Sequence, residues 1–353
     1  MKKIEIFIKN IFLKILLLLK PGSTSKTKPH FNASSKILFI RLNRIGDALV
    51  TTPLLKEVKR QIRCRVYVLA DKNNSFVFTN NPGVDKVVVF RKGFKGFFET
   101  LDLIKKENFD AIVDLHDDVS TTVTYLLAMA KAPAKFGLKK GNEEVYTQTV
   151  EKPDAKRVHV IDRVMAIAAL LGLQDCKEEV NVNYFPKPEA LRKVQEVLKG
   201  KFPEKKFLLG INISAGSPAR FWGVEKYREL IKFLRPYNIN VLLLCSEKEA
   251  PQALEINNGV EGNIFYSPSF DEFTSAISML DMLYTPDTMA VHLASAYNVP
   301  VFGMYVHYNT TDMIWTPYRS DFECVVTENN TLNDVTFNEV IEKFKPFLEK
   351  YIS

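Results

Sequence analysis

Three short stretches of the chain carry residue types at spacings that could do chemistry. The first is Ile37 to Lys56, ILFIRLNRIGDALVTTPLLK, where an apolar run passes through a turn at Gly46 and Asp47 into a helix-like segment. Ligands of open α/β sheets bind outside the carboxyl ends of the strands, so a carboxylate at the first strand-to-helix turn is well placed for proton transfer. Asp47 is the leading candidate for a general base, and Asn43 and Arg44 in the same turn are candidates to hold an anion or an acceptor. The second stretch, YTPDTMAVH from Tyr284 to His292, puts a strand end, an Asp-Thr pair and a helix start in sequence. Asp287 or Thr288 would cap that helix, and the backbone N–H groups of Met289 and Ala290, with the helix dipole behind them, would form an anion site suited to a diphosphate. His292 reads equally well as a core histidine. The third stretch, NISAGSPARFW from Asn212 to Trp222, leaves a strand through Ser214, Gly216 and Ser217 before reaching Arg220. A Ser/Gly backbone can approach phosphate oxygens closely and Arg220 can add charge-assisted hydrogen bonds, whereas a flexible surface turn is the plainer alternative.

Other groups read as structural. His116-Asp117-Asp118 could ligate a cation, but three successive residues after a strand diverge in direction and no second ligand cluster accompanies them, so a helix cap is expected there and no metal. His159 and His307 show no partner in the sequence, and Arg41 is open to either a structural or an anion-binding role. Neither GxGxxG nor GxxxxGK[ST] occurs, which removes the usual signatures of dinucleotide redox chemistry and P-loop phosphoryl transfer. Cys64, Cys176, Cys245 and Cys324 are far apart with no CxxC pair, which argues against a zinc site or a disulfide framework and suits a reducing compartment.

The elements that must position these residues alternate. Runs at 37–41, 66–70, 86–90 and 111–115 read as strands separated by helical stretches such as 97–106, and a helical segment over 158–171 leads to a KPE-containing stretch over 187–200. A second series begins with strands at 207–213, 239–245, 263–266, 282–285 and 299–305, with helices at 224–234 and 270–280 between them. Short β-branched runs without polar alternation suit strands buried on both faces of a parallel sheet. The pattern predicts two doubly wound α/β domains facing each other across a cleft, with a boundary near Phe185 to Pro203. The last helical run, 337–351, could pack back on the amino-terminal domain.

With 353 residues, 46% of them hydrophobic, the chain can build about two domains. Of its formal net charge of +7, the first thirty residues hold +6, so the basic balance belongs to a terminal arm rather than to a folded face, and no nucleic-acid partner is expected. In that arm Ile4, Phe7, Ile8, Ile11, Phe12, Ile15, Leu18 and Leu19 fall on one helical arc, while Lys2, Glu5, Lys9, Lys14 and Lys20 fall on the other. Its apolar run of sixteen residues, broken by lysines and followed by no small-residue cleavage site, fits neither a bilayer span nor a cleaved export signal. A helix lying on an anionic membrane surface is expected over residues 1–20, stopped by Pro21 and Gly22 and followed by a polar linker to residue 35.

Taken together, IRLNRIGDALVTTPLLK, SAGSPARFW and PDTMAVHLASAYNVPVFGMY resemble, in order, the amino-terminal signature, the phosphate-binding loop and the carboxyl-terminal DTG-x-x-HLAAA signature of family 9 glycosyltransferases, the ADP-heptose lipopolysaccharide heptosyltransferases. The resemblance spans roughly residues 36–320. It implies a GT-B fold, with an acceptor-binding domain over 36–185 and a nucleotide-sugar-binding domain over 186–353. It also implies inversion at the anomeric carbon without a metal or other cofactor. Carried onto this chain, Asp47 matches the family's general base and Arg220 its basic residue at the diphosphate, while Thr288, Met289, Ala290 and His292 match the helix-start donor site. Adenosine contacts would fall near Pro268 and on Glu247 or Glu249. The chain departs from the pattern in three places: Met289 replaces a glycine, Arg220-Phe-Trp-Gly replaces Lys-x-Trp-Pro, and the basic arm is an addition.

The expected partners are therefore a nucleotide-sugar donor, a lipid-linked glycan acceptor of the lipopolysaccharide core and an anionic membrane surface, met at the cytoplasmic face of the inner membrane. Two other readings stay open at this point. One is a nucleotide-sugar epimerase or hydrolase of the same architecture, and the other is a non-catalytic membrane-associated sugar-binding protein.

Overall fold

The computed structural model describes residues 29–176, 180–260 and 262–352, so the helix expected over residues 1–20 lies outside the described residues. The chain divides between Val180 and Asn181 into two compact units. The first contains six strands: β1 (Lys36–Arg41), β2 (Arg65–Asp71), β3 (Lys86–Phe90), β4 (Ala111–Asp114), β5 (Ala134–Lys139) and β6 (Gln148–Glu151). Its helices are α1 (Ile45–Leu49), α2 (Thr52–Gln61), α3 (Phe76–Thr79), α4 (Phe94–Glu107), α5 (Thr121–Met129) and α6 (Val160–Met165). All strand pairs are parallel and their order is β3-β2-β1-β4-β5-β6.

The second unit repeats the plan with β7 (Leu208–Asn212), β8 (Asn240–Leu244), β9 (Ile264–Phe265), β10 (Met282–Pro286), β11 (Val301–Val306) and β12 (Phe322–Thr327). Around them lie α7 (Pro188–Lys201), α8 (Val224–Leu234), α9 (Ala250–Ile256), α10 (Phe270–Ser278), α11 (Met289–Ala296) and α12 (Phe337–Ile352). The order β12-β11-β10-β7-β8-β9 is again parallel throughout. Each sheet grows outward from its first strand in one direction and then in the other. Each therefore has one switch point, between β1 and β4 in the first unit and between β7 and β10 in the second, and ligands bind at such points in doubly wound sheets. The turns carrying Asp47 and His116 flank the first; those carrying Ser214 and Asp287 flank the second.

The central strands form because their residues are apolar on both faces: Ile37 to Ile40, Val66 to Ala70 and Leu242 to Leu244 are buried without alternation. The strands not anticipated from the sequence, β5, β6 and β12, lie toward the sheet margins and break the apolar pattern with Lys135 and Gly137, with Gln148 and Glu151, and with Glu323. The helix expected over 158–171 is instead α6 followed by a 3-10 segment, Ala166–Leu171. The last helix, α12, packs through Phe344, Phe347 and Leu348 into the core of the second unit, beside β12 and α8.

That core is dominated by aromatic rings. Trp222 lies fully buried with its ring centroid 5.4 Å from Tyr227 and 5.9 Å from Tyr284, and its Nε1 donates to the Val335 carbonyl at 3.0 Å. The indole thus moors the loop after β7 to the interior, two residues from Arg220. Trp222→Ala should lower stability by about 3–5 kcal/mol in urea unfolding followed by far-ultraviolet circular dichroism, the range for emptying a large aromatic site; a loss under about 1 kcal/mol would mean that the loop is not held by this ring.

Candidate active site

In the first unit the site begins with a charge inside the protein. Arg41, the last residue of β1, is fully buried. Its Nη2 donates to Asp47 Oδ1 at 2.8 Å, its Nε donates to the Asp47 backbone carbonyl at 2.9 Å, and its Nη1 donates to the Leu115 carbonyl after β4. Burial pushes the guanidinium below its ordinary value, against the pull of Asp47 and, further off, Asp114, Asp117 and Asp118. The side chain of Asp47 keeps 18% of its surface open, so one face of the carboxylate is held from below while the other meets solvent. The residues that share its cavity, of about 700 Å³, include Asn43, Arg44, Asp71, Asn73 and Lys92. Asn43 and Arg44 are thus brought together with Asp47 as the sequence suggested, and Lys92, which forms an ion pair with Asp71 at 3.3 Å, joins them from the end of β3.

A buried polar network fixes the turn that carries these groups. Asn74 Nδ2 donates to the carbonyls of Arg41 at 3.2 Å and Asn43 at 2.6 Å. From β4, His116 Nε2 accepts from the Leu42 backbone N–H at 3.1 Å, while its Nδ1 lies 2.6 Å from Asp114 Oδ1. An acceptor at Nε2 and a donor at Nδ1 define a neutral imidazole, in keeping with burial, which lowers its basicity even against Asp114. Burial alone would raise the Asp114 carboxyl; hydrogen bonds from His116 and the ammonium of Lys140, at 2.9 Å, hold it well below the usual carboxylate range. Tyr146 OH completes the set with a 2.7 Å bond to Asp114 Oδ2.

The helix cap expected of His116-Asp117-Asp118 does not form. His116 faces β1, Asp117 receives Arg163 Nη2 at 2.9 Å, and Asp118 receives Lys152 at 3.3 Å. Ser120 precedes α5 and makes no side-chain cap bond. His159, without a partner in the sequence reading, caps α6 by accepting from Ile161 N at 3.2 Å, and His307 lies 2.8 Å from the Asp312 carbonyl and 3.2 Å from Glu328. Among the described residues no cluster of three or more His, Cys, Asp or Glu side chains is arranged to hold a metal ion.

In the second unit the two anion-suited loops meet. Arg220 Nη1 donates to the Asp287 carbonyl at 2.7 Å and its Nη2 pairs with Asp287 Oδ2 at 3.0 Å. Burial raises the Asp287 carboxyl and Arg220 draws it back. Asp287 therefore orients the arginine, and Thr288 alone is the N-cap of α11, accepting from Ala290 N at 3.3 Å. That bond takes one of the two N–H groups expected at the anion site, so the first-turn donor left to a ligand is that of Met289. Beneath the loops, buried Asn212 donates to Thr285 Oγ1 at 2.9 Å and to the Ser214 carbonyl at 3.2 Å, tying β7 to β10 across the switch point.

Ser214 does not present a free hydroxyl: it donates to Glu249 and accepts from Ser246 N at 2.8 Å. Glu249 in turn closes a capping box with Ser246 after β8. Ser217 is exposed ahead of the short 3-10 turn Pro218–Arg220, and Glu247 and Pro268 are exposed beyond the carboxyl ends of β8 and β9. His292 is buried within α11, its ring 5.8 Å from that of Trp315, which is the core placement the sequence also allowed. Sequence reasoning missed Asn74, Asp114, Lys140, Tyr146 and Asn212, whose partners lie on other strands. Arg41 had a signal: a charged residue at the end of an otherwise apolar strand needs an internal partner.

Comparisons with known proteins bear on the family and the fold. The family model of glycosyltransferase family 9 (heptosyltransferase) matches residues 100–345. A lipopolysaccharide core heptosyltransferase, OpsX, of Haemophilus influenzae is 24% identical over 295 residues, covering 80% of this chain and 82% of its own. Lipooligosaccharide heptosyltransferase 2 of the same organism is 22% identical over 312 residues, covering 82% and 88%. Among solved structures, a family 9 glycosyl transferase from Veillonella parvula superposes with a TM-score of 0.79 at 17% identity over 92% of this chain and all of its own. The E. coli heptosyltransferase WaaC with ADP gives 0.69 at 18% identity over 90% of this chain and 99% of its own. The two sheets are those of a GT-B fold, and the chain belongs to glycosyltransferase family 9. Its reaction class is glycosyl transfer.

Because Arg41 is buried beneath Asp47, Arg41→Met should cost roughly 3–5 kcal/mol in urea unfolding, since it strips two carbonyls and a half-buried carboxylate of their donor. A cost under about 1 kcal/mol would show that water replaces the guanidinium without loss.

Proposed function

We propose that this glycosyltransferase moves a heptose from a nucleoside diphosphate donor to a sugar hydroxyl of a lipopolysaccharide core acceptor by a single inverting displacement. The observation that carries the reading is the placement of Asp47, ion-paired from below and open above, at the switch point of the first sheet, with Arg220 and the start of α11 at the switch point of the second. Asp47 takes the proton of the acceptor hydroxyl as that oxygen forms its bond to C1 of the sugar. The bond from C1 to the phosphate oxygen breaks, and the electron pair leaves with the diphosphate. Arg220, which has N–H groups beyond the two given to Asp287, and the Met289 N–H with the dipole of α11 receive that charge.

A two-step mechanism would need a carboxylate nucleophile beside the donor, and Asp287 at that switch point is committed to Arg220. The scheme calls for no metal or cofactor, because the cationic side chain and the helix start supply the counter-charge. Donor and acceptor identity are supported by the relatives: the names of the two Haemophilus proteins specify heptosyl transfer to lipopolysaccharide core or lipooligosaccharide, and one solved relative was captured with ADP. The ends of β8 and β9, with Glu247, Glu249 and Pro268, are the proposed place for the nucleoside. We further propose that the protein works peripherally at the cytoplasmic face of the inner membrane, where an amphipathic arm over residues 1–20 would lie in the lipid interface. No helix among the described residues is long and apolar enough to cross a membrane.

Removing the base should slow chemistry and spare binding. Asp47→Asn should lower turnover with ADP-heptose and a core acceptor by about 10²–10⁴-fold while ADP affinity, measured by calorimetry, stays within about twofold; normal turnover would take Asp47 out of the role. Arg220→Ala should have the opposite profile, weakening ADP binding by roughly tenfold or more through loss of a charge-assisted pair. Unchanged ADP affinity in that variant would move the diphosphate elsewhere.

A further inference from the structure

Beside the Asp47 cavity the first unit displays a surface that the transfer reaction does not use. Residues 91–98, RKGFKGFF, connect β3 to the first turn of α4 and alternate basic with aromatic side chains. Phe94 is 87% exposed and Phe98 52% exposed, and Val89 on the edge strand β3 is also exposed. The side chains of Arg91 and Lys92 are 77% and 79% exposed, with Lys95 exposed next to them. The acidic groups facing this surface are Glu99, 3.7 Å from Arg91, and Asp71, 3.3 Å from Lys92.

The exposure of Phe94 is built in rather than accidental. Gly93, at a φ of +93°, is the N-cap of α4 and turns the chain in a way L side chains resist. Gly96 then presses on the segment just after β3 so closely that a Cβ there would meet the Arg91 carbonyl oxygen at 1.9 Å. The Phe97 N–H closes the turn on the Gly93 carbonyl at 3.0 Å, and Thr100 Oγ1 bonds to the Gly96 carbonyl at 2.8 Å. These constraints hold Phe94 on the outer side of the first turn while Phe97 is partly covered. Behind them lies a second cavity of about 710 Å³, walled by Phe90, Phe94, Phe97, Phe98, Tyr125 and Met129. It shares Leu42, Asn43, Asp71 and Lys92 with the cavity of Asp47.

We propose that residues 91–98 form a contact for an anionic lipid surface, with Phe94 and Phe98 entering the acyl region and Arg91, Lys92 and Lys95 meeting headgroup phosphates. Exposed aromatic rings carried on a basic turn have the composition of an interfacial anchor, and the mixed charge and apolar character match a phospholipid boundary better than water. The placement has a consequence for the reaction. A surface seated here brings a lipid-borne acceptor to the entrance of the Asp47 cavity, and the apolar cavity gives part of an acyl chain a place out of water. This rests on the lipid-linked acceptor proposed above, but its test reads lipid contact instead of sugar transfer, so either can fail alone.

The test is position-specific fluorescence in the full chain. Trp222 is buried and Trp315 belongs to the other unit, so Phe94→Trp adds an exposed reporter in the first unit. With phosphatidylglycerol–phosphatidylcholine vesicles carrying brominated acyl chains, the added emission of Phe94→Trp should shift to the blue and be quenched. A control at the exposed Val260, as Val260→Trp, should stay unquenched. Adding Arg91→Gln and Lys95→Gln to Phe94→Trp should weaken the vesicle dependence by roughly 30-fold, since two basic side chains near an anionic surface are lost. Unquenched Phe94→Trp emission while the protein co-sediments with the vesicles would overturn the proposal and assign the contact to another part of the chain. Equal quenching at positions 94 and 260, or no vesicle binding at low salt, would overturn it as well.

Discussion

A carboxylate at the mouth of a sheet can act as a base only if something fixes its direction, and here a buried guanidinium does so. Arg41 spends three of its N–H groups on Asp47 and on the carbonyl of Leu115, so the two turns at the first switch point are bound to one cation. Taking that charge out of water is costly, and the structure offsets the cost with a carboxylate and two carbonyls in fork geometry. The neutral His116, held by Asp114 and in turn holding the Leu42 N–H, locks the same strand ends from the other side. Freedom in this network would pass directly to the position of Asp47.

The second unit solves a related problem with different parts. There the cation, Arg220, is restrained among the described residues by two contacts, both from Asp287, and it remains about one-third exposed. The rigidity comes from Trp222, which anchors the loop in an aromatic core, and from Asn212 between β7 and β10. Arginine replaces the lysine of the resembled motif at this point. Its planar fork pairs with Asp287 through Nη1 and Nη2 together, a geometry that a single ammonium could not reproduce.

Much of this was legible in the sequence because the deciding features are local. Uninterrupted apolar runs mark the central strands, and the strand-turn-helix order puts Asp47, Arg220 and Thr288 in the segments that follow strand ends. The marginal strands β5, β6 and β12 escaped because lysine, glutamine, glutamate or glycine breaks their pattern while their backbone still finds a partner strand. At the candidate site, Asp287 and Thr288 could not be told apart as caps, since the choice depends on Arg220, 67 residues away in the chain. Ser214 looked free for phosphate for the same reason: Glu249, from the following strand-to-helix turn, engages its hydroxyl. Residues whose roles come from partners on other strands, such as Asn74 and Lys140, carry no local signature at all.

The central claim is that a single carboxylate, Asp47, drives a single displacement. It is tested most directly by the anomeric configuration of the product, read by proton NMR during turnover of an α- or β-configured nucleotide heptose on a core acceptor. The account predicts a new glycosidic bond of inverted configuration from the first product formed. A product that retains the donor's configuration would require a second displacement and a second nucleophile, and would contradict it.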